Sequence, residues 1–344
     1  MPTKPPRVAH SLSLLCAGLM LAAVGMQSEP AAAAEAIPEF TVAPMLAGGA
    51  RVTVDGAPFA EYVVDRANKP FLWPIHGPTG KEMTRAYPMR DVAGERRDHP
   101  HHRGLTFGHQ SIDGSDTWAE DATYREHKEA ADRVRTVGRI RHREYRLLAG
   151  GTTGVIHAVG DLLDAANRPR LLVDTRLTFS APGTTRVIDV DSDLVALEEP
   201  VHFADMKDAG MFIRVPHSMS VDAKEGGTIV NSDGLRDADA WAKRAPWCDY
   251  NGPVDGERLG IAFLSHPASF RHPTPWHVRG YGLFTANPFG PRSLDPAAAD
   301  GGLTLQPGER VSLRYRVILH RGDEVEGRVA DAYEAYAREP RPPL

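Results

Sequence analysis

The chain has 344 residues, with Lys+Arg 40 against Asp+Glu 45 and a formal net charge of -5. Hydrophobic residues at 42% and charged residues at 25% are ordinary for a globular protein, which excludes a disordered or collagen-like chain. The mild acidity gives no global electrostatic reason to bind nucleic acid, and Gly 32 with Pro 28 favours a turn-rich β protein over a helix bundle.

The first segment reads as an address. Lys4 and Arg7 form a positive start, Ser11 to Met26 is a short apolar run, and Ala31 to Ala36 is rich in small residues. That order predicts a secretory signal peptide over 1–36 and a mature chain starting between Glu35 and Ile37, periplasmic or secreted. The apolar run is shorter than the ~20 residues a spanning helix needs. Cleavage would remove Cys16 and leave Cys248 without an intrachain partner. No second run of ~18 apolar residues follows, so no integral membrane span is expected in the mature chain.

From residue 37 to 344 the pattern predicts one all-β domain, a large antiparallel sandwich closed by a C-terminal helix. Val52 and Val54 lead into Asp55-Gly56, a strong hairpin signal. Between Arg170 and Leu197, apolar and polar residues alternate around a Pro182-Gly183 turn. Val311, Leu313, Tyr315, Val317 and Leu319 keep a period of two, as a half-buried strand does. Val325, Val329, Ala332, Tyr333 and Tyr336 then fall at helical spacing, which predicts a helix over Glu324 to Arg338.

The densest chemistry is Asp98-His99-Pro100-His101-His102-Arg103-Gly104, with His109 after Leu105-Thr106-Phe107. Imidazole exchanges protons near neutral pH and is the commonest metal ligand. Acid–base work, metal ligation by His99, His101 and His109, and a hydrogen-bonded structural loop all fit this segment. The spacing matches no standard zinc motif. Trp118 and Glu120 suit a sugar, one as a stacking face and the other as an acceptor for hydroxyls; a core Trp beside a surface Glu fits equally. Asp205-Met206-Lys207-Asp208 places a lysine between carboxylates, either an ion-pair knot or a poised acid–base group. His266 to Gly290, with His272, Trp276, His277 and Tyr281 among four prolines, reads as a rigid connecting loop and a binding wall. Asp189, Asp191 and Asp193 lack the Gly and Glu of a calcium loop and read as a solvated strand face. Arg133, Arg135, Arg139, Arg141 and Arg143 read as another.

The blocks KPFLWPIHGPTG, DHPHHRGLTFGH, DTWAE, GGTIVNSDGL, WAKRAPWCDY and RHPTPWHVRGYGLFTANPFG carry a resemblance over roughly residues 40–338. They resemble a bacterial family of unknown function whose members often bear the label "methane oxygenase PmoA". At Met206 and Asp208 the chain departs from that family's Thr and Glu. The label conflicts with the residues, because a membrane oxygenase subunit needs several spanning helices. The family is similar to the galactose-mutarotase-like supersandwich, whose cleft binds sugars. The resemblance implies carbohydrate catabolism, by analogy of fold.

Together these features predict an exported enzyme acting on a carbohydrate or oxidised sugar by epimerisation, elimination or glycosidic cleavage. His102 and His109 are the expected acid–base groups, with Lys207 or Asp205 as second partner. His101, Arg103, Trp118, Glu120, His277 and Tyr281 are expected to line the sugar site. A non-catalytic carbohydrate-binding protein is the second possibility. A divalent-metal enzyme using His99, His101 and His109 is the third.

Overall fold

Turn chemistry organises the first hairpin as expected. Asp55 and Gly56 both take positive φ, 51° and 77°, and join Ala50–Val54 to Ala57–Val63, the geometry a two-residue primed turn requires. The computed structural model describes residues 1–6, 8–9, 37–125 and 128–344. The apolar run and small-residue stretch of the predicted signal peptide lie outside the described residues. Ile37–Leu344 forms one compact unit.

Two large antiparallel sheets make up that unit. One runs, in spatial order, through Phe40–Pro44, Ala50–Val54, Ala57–Val63, Phe71–Ile75, Leu105–His109, Ala209–Arg214, Leu283–Ala286, Thr274–Val278 and Arg244–Ala245. The other runs through Thr228–Asn231, Trp247–Val254, Glu257–Ser265, Arg310–Arg321, Arg186–Ala196, Pro169–Ser180, Gly154–Leu163 and Arg139–Ala149. Side chains from both sheets, among them Phe59, Phe107, Ile213, Phe179, Val190, Leu313 and Val317, share one apolar core. The result is an all-β sandwich with a C-terminal helix. Among the described residues no helix is long and apolar enough to cross a membrane.

Four expectations need correction. Arg133 and Arg135 do not share a strand face with Arg139, Arg141 and Arg143, because they lie in the short helix Lys128–Thr136 ahead of that strand. The segment from His266 to Gly290 is not a single loop: Thr274–Val278 and Leu283–Ala286 pair within the first sheet. Its prolines hid the strands, since a proline inside a strand pattern argues against one. The helix is shorter than its periodicity, Val329–Tyr336. The Asp323 carboxylate ties down the amides of Val325 and Glu326, and Arg328 sits at φ 50°, so the chain turns before it coils. Val329 and Tyr336 then pack on Val187, Trp247 and Ile318, outside the second sheet. Asp189, Asp191 and Asp193 are buried, because Arg314, Arg316 and the C-terminal Arg341 cover and pair them.

A buried pair fixes the far side of the second sheet. His320 Nε2 lies 2.7 Å from Asp249, and its Nδ1 is 3.0 Å from the Arg321 carbonyl. Burial pushes the His320 pKa down, but Asp249 outweighs it and the net shift is upward. Its contribution to stability is therefore complete below the unfolded value and fades as pH rises through the folded one. The ring fits because Gly260 has no side chain: a Cβ there would lie 2.1 Å from His320 Cε1. With the ring pinned on both nitrogens it cannot retreat. Gly260→Ala is expected to cost about 1–3 kcal/mol by overpacking, measured by urea unfolding. Adding His320→Ala should recover part of that loss, and strict additivity of the two changes would contradict the contact.

Candidate functional site

Strand alternation decides which side chains leave the core of the first sheet. Along Ala209–Arg214, Met211 and Ile213 join the inter-sheet core, whereas Phe212 packs with Trp118, Leu283 and Tyr281 on the other face. Along Thr274–Val278, Trp276 and Val278 enter the core. His277, between them, turns outward and stands 6.5 Å from the Trp118 ring and parallel to it. Trp118 can lie over the sheet because Gly108 beneath it is bare; a Cβ there would be 3.0 Å from Trp118 Cα. Asp116 accepts the Trp118 and Ala119 amides, and buried Lys69 donates to the Trp118 carbonyl at 2.7 Å. Burial lowers the Lys69 pKa to about 8, against the pull of Glu120 and Asp116.

The histidine segment closes as a turn, with the His102 amide on the His99 carbonyl at 3.0 Å and His99 at φ 47°. This bend lets all three adjacent imidazoles face one cleft, which an extended chain would forbid. The His99, His102 and Tyr281 rings lie nearly parallel in one cluster, with centroids 4.8 Å apart for His99 and His102, 5.1 Å for His99 and Tyr281, and 6.4 Å for His102 and Tyr281. A cleft of 330 Å³ is lined by these rings with His101, Trp118, His277, Lys207, Asp208, Arg133 and Arg279.

Hydrogen bonding fixes opposite tautomers on two of the histidines. The Arg214 guanidinium, which has only donors, lies 3.0 Å from His102 Nδ1. That nitrogen must accept, and the ring proton belongs on Nε2. For His277, Nδ1 lies 2.8 Å from the Lys207 carbonyl, which has only lone pairs. Nδ1 must therefore carry the proton, and Nε2 is bare. Burial, followed by the His101 ring and Arg214, holds the His102 pKa well below its ordinary value. Burial also takes His277 down to about 3, with Lys207 and Arg279 adding to the effect. Both rings are neutral near pH 7; one offers a donor and the other an acceptor.

Behind His102, a single carboxylate serves two buried cations. Asp98 Oδ1 lies 2.6 Å from Arg85 and 2.8 Å from Arg214, and both arginines are about 1% exposed. Arg85 also donates to the carbonyls of Asp98 and His99. Burial alone would raise the Asp98 pKa, but the His99 ring, Arg214 and Arg85 hold it well below the carboxylate range. Burial pushes the Asp208 carboxyl upward and the Tyr281 hydroxyl to about 12.

Of the expected residues, His99, His101, His102, Lys207, Trp118, His277 and Tyr281 share the cleft. Four stand elsewhere. His109 continues the inward alternation of Leu105 and Phe107, and packs against Phe203 and Phe289 with no exposure. The Asp205 carboxylate is spent on the amides of Arg292, Ser293 and Gly301. Arg103 and Glu120 are consumed by each other in a two-pronged pair at 2.8 Å. With His109 in the core, the trio His99, His101 and His109 is not assembled. Among the described residues no group of three or more His, Cys, Asp or Glu is placed to hold a metal ion. Sequence reasoning did not single out Arg85, Arg214, Arg279 or Asp208 as site residues. Only their company in motif-dense segments pointed to them.

No curated protein matches the chain. One family model does, over residues 49–334, which takes in every strand from Ala50–Val54 onward and the whole cleft. The chain belongs to that family, the family of unknown function DUF6807.

Proposed function

We propose that the protein is an exported carbohydrate-active enzyme that moves a proton at a carbon of an oxidised sugar, as an epimerase or lyase does. The observation that supports this most is the opposed pair of neutral imidazoles in one aromatic-walled cleft. His277 Nε2, the bare lone pair, takes a proton from the carbon next to a carbonyl or carboxylate. The electron pair left behind moves onto that oxygen, which the His102 Nε2–H stabilises by donating a hydrogen bond. Return of a proton from solvent to the opposite face gives the epimer, with His277 releasing the first proton to solvent. Loss of the β-oxygen instead gives a double bond, and that oxygen leaves with the proton that His277 took. Trp118 and Tyr281 supply flat apolar faces for the ring.

Glycosidic cleavage by paired carboxylates has less support, because Asp208 is the one carboxylate lining the cleft among the described residues. The two broad antiparallel sheets favour the galactose-mutarotase-like form of sandwich, by analogy. The oxygenase label of the family it resembles gains nothing from the described residues, where no helix could span a membrane.

The test is incubation of the purified protein with aldoses, keto sugars and uronates in deuterated water. Carbon-bound deuterium in recovered sugar, or a new conjugated double bond in the ultraviolet, is expected for at least one class. Binding without either would leave a carbohydrate-binding protein. Export has its own check. Amino-terminal sequencing should return a start between Glu35 and Ile37, whereas intact Met1 recovered from membranes would overturn the signal-peptide reading.

A further inference from the structure

The cleft has the opposite sign to the molecule around it. The chain carries a formal net charge of -5, yet Arg133, Lys207 and Arg279 line the cleft against Asp208 alone. Two of these cations are aimed by aromatic rings. Arg279 lies 4.6 Å from the centroid of Trp241 and 5.7 Å from that of Tyr281, and Arg133 lies 4.7 Å from that of Tyr124. Arg133 reaches Asp116 at 3.7 Å, while among the described residues no carboxylate is within 4.0 Å of Lys207 or Arg279. The excess is not cancelled from behind, since Asp98 is shared by Arg85 and Arg214. A low-dielectric cleft focuses such a charge on whatever enters it.

We propose that this cleft selects a sugar bearing a carboxylate, a uronate unit, with Lys207 and Arg279 taking the carboxylate while Trp118 and Tyr281 flank the ring. The proposal rests on the cleft being a sugar site and names the class of sugar. Two independent points favour it. A carboxylate next to the reacting carbon is the electron sink that proton removal requires. It also neutralises the two cations that, after burial, do most to keep His277 unprotonated. An anionic substrate would thereby strengthen the base that acts on it.

The experiment is calorimetric titration of the mature protein with D-glucuronate, D-galacturonate and their methyl glycosides. D-glucose, D-galactose and glucose 6-phosphate are the comparison set. The uronates should bind at least about tenfold tighter than the matched neutral sugars, and the margin should shrink as salt is added. Lys207→Gln and Arg279→Gln should each remove about three- to thirtyfold of uronate affinity and lower neutral-sugar affinity by a smaller factor, so that the uronate margin narrows. Both side chains are exposed, so folding is not at stake. Equal affinity for neutral sugars would overturn the uronate assignment and leave the sugar site standing. Glucose 6-phosphate binding as tightly as the uronates would overturn the carboxylate preference. Failure of every sugar to bind would overturn both proposals.

Discussion

His277→Asn is expected to lower turnover by about 10²–10⁴-fold while leaving sugar binding and the fold in place. Asparagine is the informative replacement because its amide can still donate to the Lys207 carbonyl, now held at 2.8 Å by Nδ1. What it lacks is the lone pair at Nε2. Alanine would remove that lone pair too, but would also leave a hole between Trp118 and Trp241. The pH dependence separates this base from an ordinary histidine. With the free-state pKa near 3, kcat/KM should show no acid limb around ~6.5, the usual histidine value. The limb in kcat should lie higher than that in kcat/KM, because a bound carboxylate neutralises Lys207 and Arg279 and so favours the imidazolium. A limb near ~6.5 in kcat/KM, surviving in the asparagine variant, would assign the base elsewhere.

How much of this was legible in the sequence depends on which residues are asked. The period-two runs and the Asp55-Gly56 turn gave the sandwich, because they act through local geometry alone. The same periodicity bears on His109. Leu105, Phe107 and His109 share a parity, and two of the three are plainly core residues. Parity also separates His277 from Trp276 and Val278 once a strand is recognised there, but Pro273 and Pro275 disguised that strand as a loop. The tautomers were out of reach. They depend on Arg214 and the Lys207 carbonyl, which are 112 and 70 residues distant from the rings they fix. Composition likewise could not show that a chain of net negative charge lines its cleft with three cations against one carboxylate.

The largest loss of stability is expected from Asp98→Ala. Removing one partner of a buried ion pair typically costs about 3–5 kcal/mol, because an uncompensated charge stays in the protein interior. Here two guanidiniums depend on that carboxylate, and burial with mutual repulsion already pulls the Arg85 pKa to about 10. In wild type the sign of the pH dependence is set by the depressed Asp98 pKa. Its contribution is complete above the unfolded value near ~4 and is lost as pH falls through the lower folded one. Urea unfolding at pH 7 should therefore show a large deficit for Asp98→Ala, and the wild-type advantage should narrow as the pH is lowered from ~4. Replacing all three charges together, Asp98→Leu with Arg85→Met and Arg214→Met, should return much of the stability, since well-packed apolar groups often substitute for a buried ionic cluster. It should not return turnover. Without Arg214 nothing holds the His102 proton on Nε2, and the ring is free to present a lone pair to the oxygen it is meant to stabilise. A triple variant that folded and turned over at the wild-type rate would reduce this arginine pair to scaffolding.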